Sequence, residues 1–323
     1  MNNYKKCQLC PRNCKVDRTK DKLGFCGESD KLRISSISPH FGEEPSISGT
    51  NGSGTIFFTG CSLKCIFCQN YQISMDGMGR IWKVSKVVDE IEKMYYSYKV
   101  HNVNFVTPDH FFPHTIEIVK LLHKRKINIP ILYNTSGYQK LSSLKEIKDY
   151  ADIYMPDFKY SDKNLSKKLS NCEDYPEIAI EAISEMVKQK GFLDSFENNT
   201  NIAKRGVLVR HLILPENVKN SIDVLTTLFI EFGKNIPISL MSQYYPPTRL
   251  EYIQTNKDTN FLNHRITSDE FKQVYEYAIS LGLKNMLIQF PYNFKTESDV
   301  TDFVPDFRKE KPFKGNKKPD SNP

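Results

Sequence analysis

Thr59-Gly-Cys-Ser-Leu-Lys-Cys-Ile-Phe-Cys-Gln-Asn70 is the stretch from which the rest of the chain is read. Cys61, Cys65 and Cys68 form a C-x3-C-x2-C array, with Phe67 just ahead of the third cysteine. The residues before it, Gly54-Thr-Ile-Phe-Phe-Thr-Gly60, read as a buried strand, because the apolar run is short, aromatic-rich and bounded by glycines. The array therefore sits in the loop leaving a strand's carboxyl end, where α/β barrels carry their chemistry. Three soft thiolates this close together suit an iron–sulfur cluster. A cubane of four irons would then keep one iron without a protein ligand, open to bind and reduce a molecule. The competing reading is a zinc knuckle, but structural zinc wants four ligands and no His or Cys lies close downstream.

Read as Cys61-Ser-Leu-Lys-Cys65-Ile-Phe67-Cys68, the array resembles the C-x3-C-x-aromatic-C signature of the radical S-adenosylmethionine (SAM) enzymes. The resemblance implies a [4Fe–4S] cluster on these three cysteines, as metal ligands and as the catalytic centre. In that family SAM chelates the unique iron through its amino and carboxylate groups. An electron from the cluster cleaves the sulfonium and yields a 5′-deoxyadenosyl radical that abstracts hydrogen. The cofactor carries the hard chemistry and the protein orients it.

The chain of 323 residues is long enough for one large α/β domain with appendages. It is 39% hydrophobic and 26% charged, as ordinary globular proteins are. No apolar stretch reaches membrane-spanning length and the start, MNNYKKCQLC, lacks a signal-peptide core, so a cytoplasmic protein with no membrane partner is expected. In a reducing compartment, eight cysteines argue for metal binding over disulfides, and seven of them fall before residue 70. Four of those, Cys7, Cys10, Cys14 and Cys26, are spaced C-x2-C-x3-C-x11-C, which suggests a segment folded around a second metal site. Its spacing leaves zinc and a second iron–sulfur cluster both open. The eighth, Cys172, reads as packing or chance. The net charge of +7 does not imply a nucleic-acid partner, since Arg308–Pro323 alone supplies +4 as a solvated basic tail.

Glycines between Ile47 and Gly54 precede a strand instead of following one, so they read as a turn and not as a dinucleotide loop. Glu43 and Glu44 beside His40 read as a solvated turn, with acid–base work as the alternative. Beyond the array, strand and helix patterns alternate. Val84–Tyr98 reads as a helix capped by Ser85, and strands follow at 103–106, 129–133, 153–155, 207–214, 236–244 and 286–290. Helices are expected near 115–124, 144–150, 175–190, 222–232 and 268–281, the last capped by Ser268, while 156–206 reads as a polar excursion. This order indicates a parallel sheet covered by helices. The resemblance specifies it further as an α/β fold, a partial (βα)6 TIM-type barrel with an N-terminal Cys-rich extension. The expected division is an extension over 1–50, a radical SAM core over 51–291 and a polar C-terminal tail over 292–323, Lys/Pro-rich and disordered from about Pro305.

The remaining strand ends carry candidate SAM-binding residues. Val106-Thr107-Pro108-Asp109-His110 stands where most family members have Gly-Gly-Glu, leaving backbone near Thr107, or Asp109, to replace it. Tyr133-Asn134-Thr135-Ser136-Gly137 and Met155-Pro156-Asp157-Phe158-Lys159 resemble stretches of glycyl-radical activating enzymes that contact SAM and flank a monovalent cation. Carried over by position, Asn134, Thr135, Asp157 and Lys159 are implied, with Asn134 where an aspartate is usual. Lys159 suits the SAM carboxylate, and Asp157 a ribose hydroxyl or the cation. Arg210 suits the same carboxylate, with a structural ion pair as the alternative reading. Gln243 and Tyr244 are candidates to face adenine or substrate.

Cys10-Pro-Arg12-x-Cys14, Glu-Glu-Pro45, Cys68-Gln-Asn-Tyr71 and Val209-Arg-His211 are similar to the pyruvate formate-lyase activating enzyme-like subfamily. The resemblance implies an oxidoreductase served by a reductant such as flavodoxin or ferredoxin, with a glycyl-radical protein as its partner. A radical SAM enzyme modifying a small molecule, RNA or peptide is the alternative. A third reading, from another class, is a non-catalytic electron carrier or zinc-binding module.

Overall fold

The computed structural model describes residues 2–198, 200–248, 259–291 and 304–313. Among these, ten strands run in chain order: β1 (Arg33–His40), β2 (Ser53–Phe58), β3 (Arg80–Ile81), β4 (Val103–Val106), β5 (Ile131–Thr135), β6 (Ile153–Pro156), β7 (Gly206–Val207), β8 (Val209–Leu212), β9 (Ile238–Met241) and β10 (Met286–Ile288). One sheet has the order β3-β1-β2-β4-β5-β6-β7 and a second the order β10-β9-β8. The two are stitched together where β7 and β8 follow each other across Leu208. Leu208 N donates to Tyr154 O at 3.0 Å, and Phe158 N to Arg210 O at 2.8 Å. From β2 onward every pairing is parallel, while β1 and β3 add an antiparallel edge. The result is the expected α/β partial barrel, and the parallel strands deliver all their carboxyl ends to one face.

The β2 sequence, Ser-Gly-Thr-Ile-Phe-Phe, is buried at every position, as a strand covered on both faces must be. Return helices bury one stripe each. In Val84–Lys93 the stripe is Val87, Val88 and Ile91, and in Ser268–Ser280 it is Phe271, Val274 and Ala278. Two expected caps are corrected. Val84–Lys93 starts after Lys83 without a side-chain cap, so Ser85 lies inside its first turn, and Met94–Tyr98 continues it as a π turn. Thr267, not Ser268, caps the later helix, in a capping box with Glu270. The expected polar excursion contains the helix Lys163–Ser170, whose buried face meets the cysteine loop.

The ends of the chain also differ from expectation. β1 lies within residues 1–50 yet pairs with β2 along its whole length. Of the C-terminal tail, residues 292–303 and 314–323 lie outside the described residues. The described part, 304–313, is not a free polar tail. Phe307 is buried against Phe57, Ile73 and Val106, with Phe313 alongside, because the two phenylalanines outweigh the lysines around them. Phe307 N donates to Gln72 Oε1 at 2.7 Å.

Candidate functional site

The cysteine array leaves β2 through Thr59 and Gly60 and turns back on itself at Lys64. Lys64 has φ +53°, a left-handed conformation unusual for a non-glycine residue. Thr59, just ahead of the array, is held by His110, whose Nε2 donates to Thr59 O at 2.6 Å. Burial and the nearby Arg18 charge push the His110 pKa down to about 3, so its ring stays neutral. Each thiol has a polar neighbour: Leu63 N donates to Cys61 Sγ at 3.4 Å, Ser170 Oγ to Cys65 Sγ at 3.0 Å and Ser74 Oγ to Cys68 Sγ at 3.4 Å. Burial raises the pKa of Cys61, as do Cys65 and Cys68 beside it, and burial raises that of Cys68.

All three cysteines open onto one cavity of about 250 Å³ at the carboxyl ends of the parallel strands. Its wall also carries Thr107 after β4, Asn134 and Thr135 of β5, Asp157 and Lys159 after β6, Arg210 of β8 and Gln243 after β9. The strand-end residues singled out by position thus converge on the cysteines. Lys159 Nζ lies 2.6 Å from Asp157 Oδ2. Burial alone would lower the lysine's pKa, but the negative charge of Asp157 and its hydrogen bond outweigh it, and the ammonium persists. Thr135 Oγ1 and Ser136 Oγ are buried in this wall and have no hydrogen-bond partner among the described residues. Two unspent hydroxyls, three thiols and a lysine form a donor set that fits a polar ligand beside a thiolate-bound cluster. Thr107 has φ +55°, a strained backbone for a β-branched residue at the site itself.

Several readings are corrected. Glu43 and Glu44 do not sit in a solvated turn. Both pair with Arg210, Glu44 Oε1 accepting from Arg210 Nε at 2.7 Å, and Asn104 Nδ2 donates to Glu43 Oε1 at 2.8 Å. The guanidinium is committed to this ion pair, which opposes its assignment to the SAM carboxylate. Burial would raise the Glu44 pKa, yet Arg210 more than offsets this and the net shift is downward. Asp109 does not line the cavity. It is buried beneath the cysteine loop, where Ser62 Oγ donates to its Oδ2 at 3.2 Å, and burial pushes its pKa up to about 7. Tyr244 is a packing residue against Phe67, and its hydroxyl donates to Leu262 O.

Sequence reasoning missed Ser170 and Phe313 as neighbours of the site. Phe313 lines the cavity with its ring centroid 4.5 Å from that of His40. No local pattern flags such long-range partners. Among the described residues, no three His, Cys, Asp or Glu side chains are drawn together tightly enough to grip a single metal ion. No helix is long and apolar enough to cross a membrane, again among the described residues.

A family model described as "Radical SAM superfamily" matches residues 55–204. An uncharacterized protein of Methanocaldococcus jannaschii is 30% identical over 292 residues, covering 87% of this chain and 77% of the relative. Similar solved structures include Streptococcus suis SuiB bound to its precursor peptide SuiA, at 12% identity and TM-score 0.47 over 80% of this chain and 50% of that one. The FeFe-hydrogenase maturase HydG from Carboxydothermus hydrogenoformans matches at 13% identity and TM-score 0.48, over 75% of this chain and 54% of that one. A domain of pyruvate-formate lyase-activating enzyme from Bacteroides vulgatus ATCC 8482 matches at 15% identity and TM-score 0.38, over 58% and 98%. The chain spans about half the length of the SuiB and HydG chains.

Proposed function

The chain belongs to the radical SAM superfamily, with a [4Fe–4S] cluster and SAM as its cofactors, and from that premise we propose that the cavity at Cys61, Cys65 and Cys68 is where both are held. One observation carries the assignment: residues from five strand ends, picked by position, line a single cavity with the three thiols that follow β2. When bound, cluster and SAM supply one-electron cleavage and a hydrogen-abstracting radical. The chain's own residues bind and shield. Cys61, Cys65 and Cys68 ligate iron, and Lys159 sets a positive charge beside Cys65 and Cys68. Thr135 and Ser136 offer hydroxyls to the polar parts of SAM, while Asn134, Thr107 and Gln243 complete the wall. Arg210, Glu43 and Glu44 form a rigid rim of net charge −1.

The first substrate reading is a backbone glycine of a partner protein, supported by the Asn134-Thr-Ser-Gly137 and Asp157-Phe-Lys159 strand ends. A flavodoxin or ferredoxin would deliver the electron. The second reading is a small molecule, RNA or peptide substrate. It is favoured by Phe313, which narrows the cavity beside His40 and leaves less room for a protein loop.

Reconstituted without oxygen, the protein is expected to bind about four irons in this site and to release 5′-deoxyadenosine from SAM under reduction. Full cleavage by Cys65→Ala would refute the ligand assignment. A glycine radical seen by EPR after incubation with a glycyl-radical protein selects the first substrate reading. Turnover of a small molecule with no such signal selects the second.

A further inference from the structure

We propose that Cys7, Cys10, Cys14 and Cys26 form a second, four-thiolate metal centre whose negative charge is balanced by the buried guanidinium of Arg18. Residues 2–30 contain no regular structure beyond two 3-10 turns, Asn2–Tyr4 and Arg18–Lys20, yet their backbone is tightly folded. Cys7 N donates to Val16 O at 2.9 Å and Lys15 N to Cys7 O at 2.8 Å, closing a loop around Cys10 and Cys14. Asn13 and Lys15, on either side of Cys14, both adopt left-handed φ, at +51° and +57°. A Cβ added at Gly24 would lie 3.5 Å from Cys14 Sγ and 3.6 Å from Cys26 Sγ, so those sulfurs flank the same glycine. Phe25 N donates to Cys14 Sγ at 3.3 Å. Cys7, Cys10 and Cys26 are buried, and all four are free of disulfides.

Arg18 is the independent observation. It is 0% exposed, and no carboxylate among the described residues hydrogen-bonds to it. Its guanidinium donates to Ser29 O and His110 O and, at 3.6 Å, to Cys7 Sγ, with the Tyr4 ring 4.6 Å away. Glu28, the nearby carboxylate, is paired with Arg33. A buried cation without a counter-charge is strongly destabilising, and neutral thiols do not supply one. Thiolates do, and metal coordination is what keeps buried thiols deprotonated. Four sulfurs and a net negative charge fit an iron–sulfur cluster, whose several irons span sulfurs that stand too far apart to grip a single zinc ion.

The centre is built onto the cysteine loop. A Cβ at Gly60 would come within 2.7 Å of Cys26 O, and Arg12 donates to Ser62 O at 2.8 Å and to Ser170 O at 2.9 Å. The N-terminal segment therefore packs directly against the cysteine loop.

The test uses the full chain carrying Cys61→Ala, Cys65→Ala and Cys68→Ala, so its outcome does not depend on the function proposed above. After anaerobic reconstitution, about four irons with acid-labile sulfide should remain bound. About one zinc without sulfide would mean that the sulfurs close on a single ion, and overturns the cluster. A folded protein free of metal overturns it. If the triple variant fails to fold, iodoacetamide labelling of the unaltered protein serves instead. Cys7, Cys10, Cys14 and Cys26 should react only after chelation, and equal labelling before and after overturns the proposal. Arg18→Gln should speed metal loss to a competing chelator about tenfold, with partial recovery in Arg18→Lys. An unchanged rate refutes the counter-charge.

Discussion

Ser170 Oγ lies 3.0 Å from Cys65 Sγ and hydrogen-bonds to it, across 105 residues of sequence. Ser170 closes the helix Lys163–Ser170 and is itself bonded by the Tyr160 hydroxyl at 2.7 Å. A hydrogen bond to a ligating sulfur favours the more negative, reduced cluster. Ser170→Ala is therefore expected to lower the midpoint potential by about 40 mV, the equivalent of ~1 kcal/mol. EPR-monitored redox titration reads this directly, and an unchanged potential would mean that the bond does not reach the cluster.

Arg210 holds two buried carboxylates. Arg210→Ala should cost about 3–5 kcal/mol, because Glu43 and Glu44 lose their counter-charge in place. Arg210→Lys should recover only part of it, since an ammonium cannot fork between two partners. Chemical denaturation of the three proteins decides.

Asp109 makes stability depend on pH in the opposite sense to a salt-bridged acid. Its folded pKa, about 7, is raised above the usual carboxylate value. Between about pH 4 and 7 the native state then holds a proton that the unfolded chain has lost. Stability should fall as pH rises through that window, by roughly 2–4 kcal/mol. Asp109→Asn should remove this slope, and a variant with the wild-type slope over pH 4–7 would exclude the carboxyl as its source. Glu44, with its lowered pKa, acts below the window: its contribution is present above about pH 4.5 and lost as pH falls further.

Thr107 keeps a left-handed backbone in the cavity wall. Thr107→Gly is expected to relieve about 1 kcal/mol of strain while weakening SAM binding severalfold. Thermal unfolding and equilibrium dialysis measure the two effects separately. A destabilised variant with undiminished SAM binding would contradict both.

The barrel and its cysteine loop were readable because each rests on short-range pattern. Alternating strand and helix periods predict the sheet, and parallel strands put their carboxyl ends together whatever the loops between them do. What escaped reading depends on partners far along the chain. Glu43 and Glu44 look like a solvated turn until Arg210, 166 residues on from Glu44, reaches them. Asp109 looks like a strand-end ligand until the cysteine loop covers it. Phe307 and Phe313 stand in a Lys/Pro-rich run whose composition argues for disorder, and only their contacts with Phe57 overrule that. The mistaken caps are local errors of one or two residues, where several hydroxyls compete for one position.

Phe307 docks on Gln72 across 235 positions. During synthesis Cys61, Cys65 and Cys68 thus leave the ribosome long before the aromatic wall that finishes their chamber. Stalled nascent chains that stop short of residue 304 should take up iron faster than the completed polypeptide does.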